Sequence, residues 1–306
     1  MNLIRFCKHE EIDKTKWDEC IKNANNSLIY GYSWYLDIAA PAWNAIVLGD
    51  YHAVMPLPTV KKYFTVAYQP FFTQQLGIFI SAGYELQAGI TEFFQTIPED
   101  YKYINVCLNE KNDSGAKVNF ELKRRNNYLL YLHQSYEQLF KGFSDHNRRN
   151  INKSKKNNLT VSDTNHEHVV KFYIDNKGDD TSKVSIVDYE RLNNLLDEAN
   201  KRGYVICKQV KDETGNCIAC VALYVHQNRI IYQIGTSNNT GRDLRAMHFL
   251  FDRLINEYSE QNMVLDFEGS DIEGVGRFFS GFGALLVPYH RLIANRLPWP
   301  INLLKK

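Results

Sequence analysis

Asp266 and Glu268 stand two residues apart in MVLDFEGS, with Ser270 two further on. Paired carboxylates beside a hydroxyl suit proton transfer or the orientation of a polar substrate. The flanking pattern is that of a strand. Met263, Leu265 and Phe267 alternate with Val264, Asp266 and Glu268, so one face is apolar and the other carries both carboxylates. Side chains two apart on a strand are roughly 6.5–7 Å apart along its axis, close enough to look into one cleft. Gly269-Ser270-Asp271 ends the strand, and Ser270 or Asp271 suits the N-cap of a following helix. That helix has Ile272, Val275, Phe279 and Phe282 on one face with Phe278 beside them, and Gly281 and Gly283 close it. The plainer alternative has Asp266 capping the turn and Glu268 in a solvated ion pair.

Cationic candidates lie in two places. Between 123 and 156 there are nine Lys or Arg against two acids, although the whole chain carries only +1. The densest part, 144–158, reads as a helix N-capped by Ser144, with Arg149, Lys153 and Lys156 on one stripe and Arg148 beside it. Arg148, Arg149 and Lys153 are candidates for phosphates of tRNA, a nucleotide-diphosphate head group or coenzyme A; the alternative is a solvated face. Arg242 and Arg245 fall at the start of a long helix, where the dipole disfavours cations, so an anion or Asp243 is expected beside them. In QPFFTQQLGIF, Gln69, Phe71, Gln74 and Gln75 combine amides with aromatics, which suits a sugar or peptide acceptor between two domains. A packed connecting loop would read the same way.

Several classes are excluded. With 44% hydrophobic and 23% charged residues the composition is that of a globular protein, and 306 residues predict two domains. A net charge of +1 supplies no global field toward nucleic acid or membrane. No apolar run approaches the roughly 20 residues of a membrane span, and MNLIRFCKHEE has no signal-peptide core. The six cysteines are scattered, and Cys217 and Cys220 sit in a strand pattern that points them to opposite faces. A cytoplasmic location is expected. Nine histidines lack HxxxH or HExxH spacing, so no metal is expected, and neither GxSxG nor a P-loop is present.

The elements that must position these residues follow in order. Helices are predicted over 13–24 and 32–39, and strands over 45–48 and 52–57 about a Gly49-Asp50-Tyr51 turn. Next come a strand over 65–68, a helix marked by Leu86, Ile90, Phe93, Phe94 and Ile97, and a buried strand over 103–108. A hairpin of 118–122 with 128–132 closes a first domain, 1–133. The second, 134–306, has helices over 169–174 and 189–200, a three-stranded meander over 204–236 and a long helix with Met247, Leu250, Phe251, Leu254 and Tyr258 inward. The strand and helix of the opening stretch complete it, with a final strand pair or strand extension over 285–295. Trp299 and the leucines of LPWPINLLKK allow a homodimer contact.

Helix, helix, three antiparallel strands, helix, strand, helix, strand is the element order of the GNAT acyltransferase fold. VLDFEGSDIEGVGRFFSGFGA resembles the C-terminal signature of FemAB-like proteins. YQIGTSNNTGRDLRAMHFLFDRLI resembles the strand, loop and helix before it, and GFSDHNRRNINKSKKNNLTV the basic helix that opens the second domain. The resemblance implies an α+β fold of tandem GNAT-like domains, with mixed, mostly antiparallel sheets flanked by helices. It also implies transfer of an acyl or aminoacyl group to an amine, with acyl-CoA or aminoacyl-tRNA as co-substrate, no bound cofactor, and a small-molecule or cell-envelope precursor as acceptor. On this reading Asp266 and Glu268 orient or deprotonate the amine, Ser270 donates a hydrogen bond, and Tyr232 lies where splayed strands admit the donor. Two departures stand out. Phe279 occupies the place of a lysine in the tRNA-dependent relatives, for which Arg277 or Arg245 are the candidate substitutes. Arg242-Asp-Leu-Arg245-Ala246-Met247 lacks the central glycine of a pyrophosphate loop. Both departures also suit a catalytically silent protein that holds an anionic ligand in the inter-domain cleft.

Overall fold

The computed structural model describes residues 3–84, 90–112, 120–176 and 184–304. The chain divides into two compact units, one formed by 1–125 with 288–306 and the other by 126–287.

The first unit runs β1 (Ile4–Cys7), α1 (Lys14–Asn23), α2 (Ser33–Ala39), β2 (Trp43–Leu48), β3 (Ala53–Lys61), β4 (Thr65–Tyr68) and β5 (Phe79–Ile80). It continues with α3 (Thr91–Gln95), β6 (Tyr101–Cys107) and β7 (Glu121–Arg125). Asp13 starts α1 by accepting the N–H groups of Thr15 and Lys16. Ile46, Met55, Leu57, Phe93, Phe94 and Ile104 are among the buried residues of its core. Leu86 and residues 118–119, which belong to the predicted helix and hairpin, lie outside the described residues.

The second unit begins with β8 (Tyr128–Tyr131), α4 (Tyr136–Lys141), α5 (Asp145–Ser154), β9 (Thr160–Asp163), α6 (His166–Asn176) and α7 (Ile186–Lys201). The meander β10 (Val205–Lys211), β11 (Cys217–His226) and β12 (Arg229–Ser237) follows. Then come α8 (Asn239–Asp243), α9 (Ala246–Tyr258), β13 (Val264–Asp266), α10 (Glu273–Ser280) and β14 (Leu285–Leu286). Among the described residues its sheet has the order β14-β8-β13-β12-β11-β10-β9, with β12 and β13 parallel and the other pairs antiparallel. Leu250, Phe251 and Leu254 of α9 join Val221, Leu223 and Leu265 of the strands in one core. Ser144 caps α5 through the Asn147 N–H and donates its own N–H to Gly281 O at 2.9 Å. A Cβ on Gly281 would lie 2.7 Å from the Asn147 side chain, so this glycine lets the end of α10 approach α5.

Four expectations are corrected. The 118–122 and 128–132 strands are no hairpin: β7 pairs with the late strand β15 (Tyr289–Asn295), whereas β8 pairs with β13 and β14. The predicted strand pair over 285–295 likewise splits, since β15 lies between β6 and β7 in the first unit. The observed division therefore gives 126–133 to the second unit and 288–306 to the first, unlike the expected 1–133 and 134–306. Apolar patterning marks each segment as a strand but does not choose its sheet; that depends on pairing between residues far apart in sequence. Finally, β13 stops at Asp266, so Glu268 does not share a strand face with it.

Candidate active site

Along β12 one edge is covered by β11, but the other is covered by β13 for only three rows, Arg229 with Val264, Ile230 with Leu265 and Ile231 with Asp266. Beyond them the two strands part. The cause lies just past the end of β13, where Glu268 and Gly269 take left-handed φ values of 58° and 64°. The Glu268 N–H donates to Asp266 Oδ1 at 2.9 Å and closes the turn. At Gly269 a Cβ would lie 2.0 Å from Asn126 O, so glycine meets both the conformation and the close approach. Opposite the gap the register of β11 and β12 shifts between Ala222 and Leu223, a bulge that bends β12.

A cleft of about 880 Å³ occupies this region of the second unit. Tyr232, Phe278 and Phe279 supply aromatic surface to it. Phe279 is buried and stacks on Phe267 with centroids 4.8 Å apart, while Tyr232 meets Phe251 edge-on at 5.3 Å. Burying such a ring is worth about 1.5–3 kcal/mol, so these aromatics also hold the cleft's shape. The Tyr232 hydroxyl donates to Gly235 O at 3.0 Å. Burial first, with nearby Tyr173, Cys220 and Glu268 adding to it, pushes its pKa far up and keeps the phenol neutral.

Arg242 and Arg245 line the same cleft. Arg242 Nη1 donates to Ser237 O at 2.7 Å and its Nη2 to Asn239 Oδ1. Arg245 takes φ 62° at the start of α9 and donates through Nη1 to Arg242 O at 2.5 Å. Both guanidinium groups are thus held by neutral oxygens beside a helix start that has no side-chain cap, a combination that attracts anions.

A further group in the cleft was not anticipated. His146 and Asn150, one turn apart on α5, meet His248 from the first turn of α9. Asn150 Nδ2 lies 2.9 Å from His146 Nε2 and 3.3 Å from His248 Nε2. His248 also packs edge-on against Phe278 at 4.9 Å. Burial, helped by His146 and Arg245, lowers its pKa to about 4. The available signal was the i, i+4 spacing of His146 and Asn150 on the basic helix, hidden behind its charges.

The sequence candidates are dispersed. Asp266 is buried, with Oδ2 2.9 Å from Arg229 Nε, and it does not line the cleft. The Arg229 Nε–H is not aligned as a hydrogen bond, so the contact is an ion pair. Glu268 is half-buried in the turn, and Ser270 Oγ accepts the Ile272 N–H at 3.0 Å, a local cap. Neither lines the cleft. Arg148 folds back onto Asp145 at 2.6 Å and onto Lys141 O at 3.1 Å. Arg149 and Lys153 are exposed on α5. Arg277 is exposed, with Glu273 3.8 Å away. In the first unit Gln69 bridges Thr73 O and the Cys107 N–H, and buried Gln75 accepts the Glu110 N–H and donates to Gln74. Those amides tie down a loop, while Phe71 is exposed.

The sequence matches no family model and no curated protein. The fold has clear counterparts. It superposes on the crystal structure of FemX with a TM-score of 0.64 at 14% identity, covering 96% of this chain and 98% of that one. A tandem GNAT protein from the clavulanic acid biosynthesis pathway gives 0.54 at 11% identity, over 97% and 99%. The C-terminal domain of a putative lysylphosphatidylglycerol synthetase from Agrobacterium fabrum gives 0.56 at 8% identity, over 95% and 94%. The chain thus shares with these structures an α+β fold of two mostly antiparallel sheets flanked by helices.

Proposed function

We propose that this protein is an N-acyltransferase whose donor enters the second-unit cleft. The observation that carries the reading is the gap beyond Ile231 and Asp266, with aromatic surface on one side and two arginines on another. The arginines favour a donor that bears phosphate, a chemistry shared by acyl-CoA and aminoacyl-tRNA. Phe278 and Phe279 favour an uncharged, apolar acyl group. The amine of a small-molecule or cell-envelope precursor attacks the donor carbonyl, an N–C bond forms, and the thioester or ester bond breaks. Neutral Tyr232 can donate to the leaving group once its hydroxyl turns from Gly235 O. Six free cysteines support a cytoplasmic setting.

The test is amide formation, followed by mass spectrometry, with acyl-CoA and aminoacyl-tRNA donors against a panel of amines. The double variant R242A/R245A should raise the donor KM at least tenfold with a smaller change in kcat. No product from any donor, or an unchanged KM in the variant, refutes the assignment. The engagement of Asp266 by Arg229 favours a second reading, a binding protein without turnover. Thermal stabilisation by acyl-CoA with no amide product would select it.

A further inference from the structure

The carboxylates expected to take the amine's proton do not line the cleft, which leaves the reaction in need of another base. We infer that His248, held by Asn150 against His146, is the proton acceptor of the transfer; this inference rests on the N-acyltransferase reading above. Asn150 presents one amide nitrogen to both Nε2 atoms, at 2.9 and 3.3 Å. An amide nitrogen only donates, so His248 Nε2 accepts from it through its ring lone pair, and the neutral His248 ring holds its proton on Nδ1. That is the state of a base before it acts.

The two histidines differ in surroundings. His146 is exposed on α5, whereas His248 is half-buried with Phe278 and Phe282 against its ring. The charged and titratable groups found to act on His248 are His146 from α5 and Arg245 from the start of its own helix. The packed rings of Phe278 and Phe282 add none. All these groups disfavour imidazolium, so His248 stays neutral and available throughout the physiological range.

In the transfer, the amine lone pair forms the N–C bond while the carbonyl π pair moves to oxygen. Asn150 Nδ2 first swings away from His248 Nε2 and frees its one ring lone pair, and the nitrogen, made acidic by bond formation, gives its proton there. Asn150 then rotates its amide to present Oδ1 to the new N–H. When the oxyanion collapses, the donor C–S or C–O bond breaks, and His248 returns the proton to the leaving thiolate or alkoxide. The products are an amide and a free thiol or hydroxyl, with no external oxidant or reductant.

Two variants test the assignment with the donor and amine identified by mass spectrometry. His248→Gln should lower kcat by about 10²–10⁴-fold, the usual worth of a positioned base, with the donor KM unchanged. Asn150→Asp places a carboxylate between the imidazoles, raises the His248 pKa and should shift the acid limb of kcat upward by at least one pH unit. Acyl-CoA thermal shifts on each variant check that the fold and the donor site survive. A His248→Gln kcat within twofold of wild type, or an Asn150→Asp profile that does not move, overturns the assignment while wild-type transfer upholds the function. Absence of transfer by the wild type overturns both.

Discussion

Replacing Asp266 with asparagine separates its two contacts. Asparagine keeps an oxygen for the Glu268 N–H, which Asp266 Oδ1 now accepts at 2.9 Å, but removes the negative charge 2.9 Å from Arg229 Nε. Asp266 is 1% exposed and the Arg229 side chain 15%, so both charges are largely withdrawn from water. Removing one member of a buried ion pair costs about 3–5 kcal/mol, and the residual exposure of Arg229 places this case near the lower end. For a unit of this size, about 3 kcal/mol lowers the melting temperature by about 6–12 °C. Calorimetry of D266N reads this directly, and the double variant D266N/R229Q should recover part of the loss, since it removes both charges. A D266N protein that melts within 2 °C of wild type but has lost transfer would refute the structural role and return the carboxylate to the chemistry.

Three other outcomes follow from the same geometry. Burial lowers the pKa of both His226 and His248 to about 4 from an ordinary 6.5, so below pH 6.5 the unfolded chain binds protons that the native state does not. Stability should therefore fall as pH drops from 6.5 to 4, by up to about 3 kcal/mol per histidine, and H226Q should flatten the slope in urea titrations; an equal slope contradicts it. F279K puts an ammonium among Phe267, Tyr128 and Tyr232 and should cost about 3 kcal/mol or more in chemical denaturation. A stable F279K protein with faster aminoacyl transfer would show that the cleft accepts a lysine there. G241A drives a Cβ to 2.1 Å from Ile218 O and should lose about 1–3 kcal/mol, whereas G274A, with no atom within 4 Å, should lose none; equal melting of the two contradicts this.

Local chemistry was legible where a few neighbouring residues decide the outcome. The meander of β10, β11 and β12 follows from alternation and short turns, and the start of α5 follows from Ser144. The glycine break after β13 follows from Gly269, although the strand ends earlier because Glu268 already turns to φ 58°. Pairings over long separations were not legible. β15, from the end of the chain, pairs with β6 in the first unit, and Asn150 reaches His248 across 98 positions. Asp266 was visible as a carboxylate, but its partner Arg229 lies 37 positions earlier, in another strand. Titratable residue types marked the end of β13, but Asp266, Glu268 and Ser270 do not line the cleft whereas Tyr232, Arg242 and Arg245 do, because only packing decides which side chains face a cavity.

The most direct test of the cleft as the transfer site is to fill it. Gly274 lies on its wall with open space beyond its Cα, so Gly274→Trp fills the cleft without striking the backbone. Comparing amide formation by wild type and G274W, at matched melting temperature, should show a fall in kcat/KM of at least about 100-fold, equivalent to roughly 2.7 kcal/mol of lost transition-state binding. Undiminished transfer by a folded G274W protein would contradict the account.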